Sequence, residues 1–190
     1  MTGLTLNLQR IGGLPRRAVV AFYLLVLAGS VPIWPFGWHL TMHVLGATML
    51  IGNALVMAVW LTIAGFSRSD RAKRRAARVV NLGDIWFTVP GAAMLLLNGL
   101  AMVAARYGGI GAFSTTGWIT AGLILLTATG LIWAFRLLPA QLTLARLSAV
   151  DGPLDTDAFR RTLYGWYAWG IVATVLPLVA AFLMTTKPSI

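Results

Sequence analysis

The two histidines of the chain are the residues whose type and spacing could do chemistry. His39, Met42 and His43 are spaced by three and four residues, which places them on one face of a helix. An imidazole beside a thioether suits Cu(I), and an imidazole also suits haem iron. The same pattern is typical of a ligand-free pair as well, with His39 at the membrane interface and His43 hydrogen-bonded in the interior. These readings stay open at this point.

Geometry limits the form that a haem site could take. Two histidines one turn apart on a helix cannot ligate opposite faces of one haem, so a bis-histidine haem within a single copy is excluded. For a redox or haem-type cofactor, with haem b as one candidate, we predict contacts from His43, His39, Met102 and Asn98. For copper, the alternative, we predict His39, Met42 and His43. The chain has no cysteine, which excludes thiolate chemistry, and no catalytic constellation decides whether it is an enzyme.

Two polar stripes must position these residues. One stripe follows helical spacing through His39, His43, Gly46, Leu50, Asn53 and Met57, and the other through Asp84, Thr88, Gly91, Leu95, Asn98 and Met102. Each stripe is one helical face, and we expect the two faces to pack together. Glycines would permit close approach, and the asparagines would hydrogen-bond across the interface. Asp84 is expected in the first turn of its helix, where the helix dipole favours a carboxylate.

The composition predicts that these helices lie in a membrane. Hydrophobic residues make up 58% of the chain and charged residues only 11%, whereas soluble domains are about 25% charged. We predict an all-α polytopic bundle, a single domain over 1–190, because a spanning helix needs about 20 apolar residues. The five predicted transmembrane helices cover approximately 18–33, 38–64, 85–105, 118–138 and 166–185. This class excludes a soluble enzyme, a disordered chain and a secreted disulfide scaffold.

The distribution of basic residues predicts the orientation of the bundle. All of the 15 lysines and arginines except Arg106 and Lys187 fall on one side of the predicted helices. The positive-inside rule therefore predicts a cytoplasmic N-terminus, a periplasmic C-terminus and a location in the bacterial inner membrane. Topology accounts for the formal net charge of +10, so we do not expect nucleic acid as a partner.

One loop carries a basic helical face. Arg71, Arg74, Arg75 and Arg78 share one face of a short helix predicted from about Arg71 to Val80, with Ser69 and Asp70 as its cap. Such a face beside a bilayer attracts anionic lipid headgroups by about 1 kcal/mol per basic residue. Anionic lipid is therefore the predicted partner, and a membrane protein partner or a second copy of the chain stays open.

Short motifs give the chain a resemblance to known membrane proteins. The segment starting Trp38-His39-Leu40-Thr41-Met42-His43, the tripeptide Val89-Pro90-Gly91 with Asn98-Gly99, and the ending Leu183-Met184-Thr185 carry it. The chain resembles the bacterial integral membrane proteins of domain of unknown function 2269, over about residues 36–188. That family carries no established activity, so the resemblance implies a membrane protein and no reaction.

More loosely, the chain is similar to the copper-resistance D domain and to HemJ-type protoporphyrinogen oxidase. These relatives imply copper handling or haem-linked porphyrin oxidation, and His43 matches the histidine of the HemJ type. The lysine of that type has no counterpart here, because Lys73 and Lys187 both lie in predicted loops.

Overall fold

The computed structural model describes residues 10–11 and 14–190 of the chain. Residues 1–9, part of the single domain predicted over 1–190, lie outside the described residues. At the start of the described part, the two-residue strands β1 (Arg10–Ile11) and β2 (Leu14–Pro15) pair antiparallel. All other regular elements described are helical, which confirms the predicted helical class.

Four long, continuous helices dominate the structure. The described residues contain eight α-helices, which are α1 (Arg16–Ala28), α2 (Phe36–Phe66), α3 (Asp70–Gly83), α4 (Val89–Arg106), α5 (Ala112–Thr115), α6 (Gly117–Ile132), α7 (Leu138–Ala149) and α8 (Thr156–Thr186). A π-helical turn, Asp84–Thr88, joins α3 to α4, and a second, Trp133–Leu137, joins α6 to α7. A 3₁₀ turn, Gly109–Gly111, precedes α5. By length and composition, α2, α3–α4, α6–α7 and α8 could each cross a membrane.

Helix α1 is shorter than each of the four long, continuous helices. Helix α1 has 13 residues and therefore a length of about 20 Å, which is less than the hydrocarbon thickness of about 30 Å. It is not among the helices long enough to cross by itself. The structure thus supports four of the five predicted spans, and the span predicted at 18–33 stays a prediction.

The long helices extend well beyond their apolar parts. The third predicted span, 85–105, belongs to a continuous helix of 37 residues from Asp70 to Arg106, which is about 55 Å long. Hydropathy detects only the lipid-facing part of such a helix. Its polar N-terminal part is α3, capped by the Ser69 side chain, which accepts a hydrogen bond from Ala72 N. The predicted N-cap at Ser69 and the basic helix after it are therefore confirmed. No break separates this helix, α3, from the membrane span that follows.

The polar ends of the helices pack around their own buried cluster. Leu61 of α2, Ala77 of α3, Leu144 of α7 and Phe159 of α8 are each at most 2% exposed. The four ends therefore form one packed cap at the basic end of the bundle. Arg74 stabilises this cap, because its guanidinium donates hydrogen bonds to the carbonyl of Ser148 in α7 and to those of Val150 and Gly152 just after it. Arg74 is thus engaged with protein, whereas Arg71, Arg75 and Arg78 are exposed.

The two polar stripes face each other, as the sequence predicts. Helices α2 and α4 approach so closely that a Cβ atom at Gly46 would lie 2.6 Å from Gly91 O. Asn53 and Asn98 both hydrogen-bond across this interface, to Thr88 and His39 respectively. Small residues allow this contact in a membrane, where helices gain from packing rather than from the hydrophobic effect.

A proline follows each π-helical turn by two residues. Pro90 comes after Asp84–Thr88, and Pro139 comes after Trp133–Leu137. Proline has no N–H, and its ring clashes with the carbonyl four residues earlier in an α-helix. The wider π turn accommodates that clash without breaking the helix.

Candidate functional site

A buried hydrogen-bond network ties α1, α2 and α4 together. His39 Nδ1 lies 2.7 Å from Asn98 Oδ1. Asn98 Nδ2 donates to Ser30 Oγ at 2.9 Å and to Met94 O at 2.9 Å. Because both amide protons are used as donors, Asn98 Oδ1 is the acceptor and His39 Nδ1 carries the proton. Asn98 is fully buried and His39 is 2% exposed, so the network is structural.

The second nitrogen of His39 is left without a partner. Its Nε2 atom is buried and makes no hydrogen bond among the described residues. His39 does not line either of the two main cavities, and neither does Asn98. The structure therefore brings these two predicted site residues to each other and to neither of these two cavities.

His43 lies differently, at the wall of a cavity of about 550 Å³ in the half of the bundle opposite the basic cap. We call it the outer cavity. It lies between the two closely packed helix pairs, α2 with α4 and α6 with α8. Its lining includes Phe36, Leu40, His43, Leu95, Gly99, Met102, Arg106, Tyr107, Trp118, Gly122, Met184 and Lys187. Every chemical role predicted for His43 requires space beside its imidazole ring, and the outer cavity provides that space.

The orientation of the His43 ring is set by α4. His43 Nδ1 lies 2.7 Å from Leu95 O, and a carbonyl can only accept, so Nδ1 is the protonated nitrogen. In the neutral ring, Nε2 is then a free acceptor. Gly99 makes room for the ring, because a Cβ there would lie 3.0 Å from His43 Cε1 and Nδ1.

The remaining lining groups of the outer cavity have two chemical characters. Met102 and Met184 both contribute to the wall, whereas Met42 does not. Arg106 and Lys187 also line the cavity, over the rings of Phe36 at 5.1 Å and Trp118 at 5.6 Å. No acidic residue is among the lining residues, so the cavity is apolar with two cations.

No ready-made acidic or imidazole metal cluster exists in the described part of the chain. Within residues 10–11 and 14–190, no three histidine, cysteine or acidic side chains lie together. Of the three predicted copper ligands His39, Met42 and His43, only His43 lines the outer cavity. The imidazole and thioether groups that the outer cavity offers to a metal are those of His43, Met102 and Met184.

A second site, which the sequence did not predict, surrounds Asp84. Asp84 was expected at the start of a helix, but this position was wrong, since Asp84 lies inside the continuous helix that begins at Asp70. Its carboxylate accepts from Thr88 Oγ1 at 2.7 Å and from Trp133 Nε1 at 3.0 Å. Asn53 Nδ2 donates in turn to Thr88 Oγ1 at 2.8 Å. The carboxylate therefore links the first residues of the two π-helical turns.

Asp84 lines a cavity of about 580 Å³, which we call the inner cavity. Gln141, Trp166 and Tyr167 line it too, and each has a buried polar atom without a hydrogen-bond partner among the described residues: Gln141 Oε1, Trp166 Nε1 and Tyr167 Oη. One signal was available in the sequence, because Asp84 is the only acid near the apolar part of a predicted span. Its partners come from three other segments, and spacing alone could not connect them.

One of the comparisons with known proteins gives a match. The family model described as a predicted integral membrane protein, DUF2269, matches residues 38–188. No curated protein and no solved structure matches the chain.

Proposed function

Because the chain belongs to the DUF2269 family of integral membrane proteins, we propose that it is a membrane-embedded cofactor-binding protein whose outer cavity takes a haem-type redox group through His43. The observation that carries this proposal is the state of the imidazole. Nδ1 is occupied by Leu95 O, and Nε2 is the nitrogen left available on a residue that lines the cavity. Metal-ligating histidines commonly donate their other N–H to a carbonyl in this way.

The charges of the outer cavity favour haem over a neutral ligand. A haem is a flat apolar ring with carboxylates at one edge. The lining of the outer cavity is mostly apolar, and Arg106 and Lys187 supply cations. Arginine and lysine pair with carboxylates by charge-assisted hydrogen bonds. The cavity thus offers an imidazole, apolar walls and cationic partners for one amphipathic anion.

The first prediction tests this role by absorption spectroscopy. Purified protein incubated with haem is expected to show a Soret band that shifts from that of free haem, because an imidazole nitrogen would ligate the iron. His43→Ala should reduce haem affinity at least tenfold. His39→Gln is the matched control, since His39 lies outside the cavity, and it should retain the band if it remains folded. Wild-type protein that rejects added haem would defeat the proposal.

Copper is the second candidate, and one observation favours it. Met102 and Met184 line the same cavity as His43, and thioethers with an imidazole are the ligands that Cu(I) prefers. The same purified sample separates the two candidates by metal analysis. Copper binding that requires His43 and Met102, in protein without a Soret band, would replace haem by copper.

We also propose the predicted orientation, with five spans and the basic cap in the cytoplasm of a bacterial cell. Two contacts support including α1 as a span. Tyr23 Oη donates to Ile85 O at 2.7 Å, and Asn98 donates to Ser30 Oγ. These contacts hold α1 and the turn after it beside the stretch from Ile85 to Asn98 of the continuous Asp70–Arg106 helix, about 20 Å along its axis. Because Tyr23 lies beside Ile85 and Ser30 beside Asn98, the N-terminus of α1 with Arg16 and Arg17 points towards the basic end of the bundle. At that end, exposed Arg71, Arg75 and Arg78 would contact anionic lipid.

The second prediction tests the orientation with single cysteines, which the cysteine-free chain makes simple. The exposed positions Ser114, Asp151 and Pro15 serve as sites. In intact cells a membrane-impermeant thiol reagent should label Ser114→Cys but not Asp151→Cys or Pro15→Cys, which should react only after lysis. Labelling of Asp151→Cys from outside would reverse the orientation. Labelling of Pro15→Cys from outside would remove α1 from the spans.

A further inference from the structure

The inner cavity contains a carboxylate that no cation neutralises. Asp84 is 8% exposed, and in the described part of the chain the recorded ion pair is Arg160–Asp157, at 3.4 Å. None of the residues that line the inner cavity is a lysine, an arginine or a histidine. A buried carboxylate is costly unless it is paired or hydrogen-bonded. The donors Thr88 and Trp133 satisfy part of its hydrogen-bonding capacity, and no cationic side chain lines the cavity to pair with it.

Aromatic and unpartnered polar groups surround the same space. Trp133, Trp166 and Tyr167 line the cavity with Asp84. Aromatic ring faces attract cations, and ammonium ions in particular. Gln141 is 3% exposed and Trp166 is 6% exposed, yet Gln141 Oε1 and Trp166 Nε1 have no hydrogen-bond partner among the described residues. The unpaired amide oxygen of Gln141 is an acceptor for an N–H donor.

The size and character of the cavity limit the ligand. A volume of about 580 Å³ is in the range of small-molecule sites, which are mostly apolar and contain a few polar groups that orient the ligand. The rest of the lining consists largely of aliphatic and small side chains, such as Leu50, Val80 and Leu137. A bare metal ion or a strongly hydrated amine would leave these walls unused.

We propose that the inner cavity binds a lipophilic ammonium ion, with its charged nitrogen beside Asp84 and its apolar skeleton against the walls. The ligand supplies the missing positive charge, an N–H donor for Gln141 and a cation for the aromatic rings. This site is centred on Asp84, whereas the haem proposal is centred on His43 in the outer cavity. The two π-helical turns position it, because Asp84 and Trp133 are their first residues, and such turns are frequent at functional sites.

A pair of probes with one skeleton tests the proposal on the full chain in detergent. At neutral pH, 4-phenylbutylamine carries an ammonium group, and 4-phenylbutanol is its neutral counterpart. We expect the purified wild-type protein to bind the ammonium probe at least tenfold more tightly than the alcohol in equilibrium dialysis. Equal affinity for the two probes would overturn the proposal without any variant, so a folding defect cannot obscure the result.

Two variants then identify the cavity. Asp84→Asn keeps the shape of the side chain and should abolish the preference for the ammonium probe. His43→Ala lies in the other cavity and should leave that preference intact, so failure of the haem proposal and failure of this one are distinguishable. An ammonium preference that persists in folded Asp84→Asn would contradict the assignment.

Discussion

Gly46→Ala is expected to destabilise the protein by about 2 kcal/mol or more, through overpacking of the α2–α4 interface. The added Cβ would lie 2.6 Å from both Gly91 O and Leu95 N. These are backbone atoms, so no side chain can rotate away, and the two helices must separate. Separation would also strain the hydrogen bonds of His39 and Asn53 across the interface. SDS-titration unfolding in mixed micelles measures the loss.

The same helix offers a matched control. Gly52→Ala adds the same methyl group where nothing lies within 4 Å. It should be neutral or stabilising, because alanine is a better helix former than glycine by about 1 kcal/mol. Equal unfolding free energies for Gly46→Ala and Gly52→Ala would show that the close approach of α2 and α4 is not a structural requirement.

Asn98→Ala is expected to cost about 2–4 kcal/mol of unfolding free energy. The substitution removes the acceptor for His39 Nδ1 and the donor for Ser30 Oγ. It also opens a gap at a fully buried position. Single interhelical hydrogen bonds in membranes average only about 0.6 kcal/mol. The larger value is expected here because the buried His39 Nδ1 loses its acceptor, Ser30 Oγ keeps only its bond to Val26 O, and a gap opens at the same position.

Asn81→Ala is the control for Asn98→Ala. Asn81 Nδ2 bonds only the carbonyl of Ala77, one turn earlier in its own helix. Its loss should change the unfolding free energy by less than about 1 kcal/mol. If the two alanine variants unfold alike, the network of His39, Asn98 and Ser30 does not hold α1 and α2 to α4.

The packing of the two polar stripes could be predicted from the sequence because each stripe is defined by the spacing of residues within a single helix. Helical spacing put Gly46 and Asn53 on one face and Gly91 and Asn98 on another, and only one antiparallel pairing brings both sets into contact. The presence of His43 at the outer cavity follows from that same pairing. The spacing did not reveal that His39 is the more buried histidine. His39 is connected through Asn98 to Ser30, which comes from the turn after α1.

The inner cavity could not be predicted because its groups converge from distant segments. Asp84, Trp133, Gln141 and Trp166 lie on three separate continuous helices. Their convergence depends on the π-helical turns, which have no sequence pattern except the prolines that follow them. Hydropathy likewise placed the start of the third span at 85, because it responds to lipid contact and not to the continuity of a helix.

The two π-helical turns also determine how the part of each helix in the basic cap and its apolar part are aligned. A π turn holds an extra residue, so side chains beyond it are out of phase with an uninterrupted α-helix by up to about 100°. Shortening Asp84–Thr88 by one residue would therefore leave a continuous helix but turn the α3 arginines around the axis relative to Gly91. The extra residue in each turn therefore sets the rotation between the two parts of the helix. With that rotation, one continuous helix can pack both in the cap and within the bilayer.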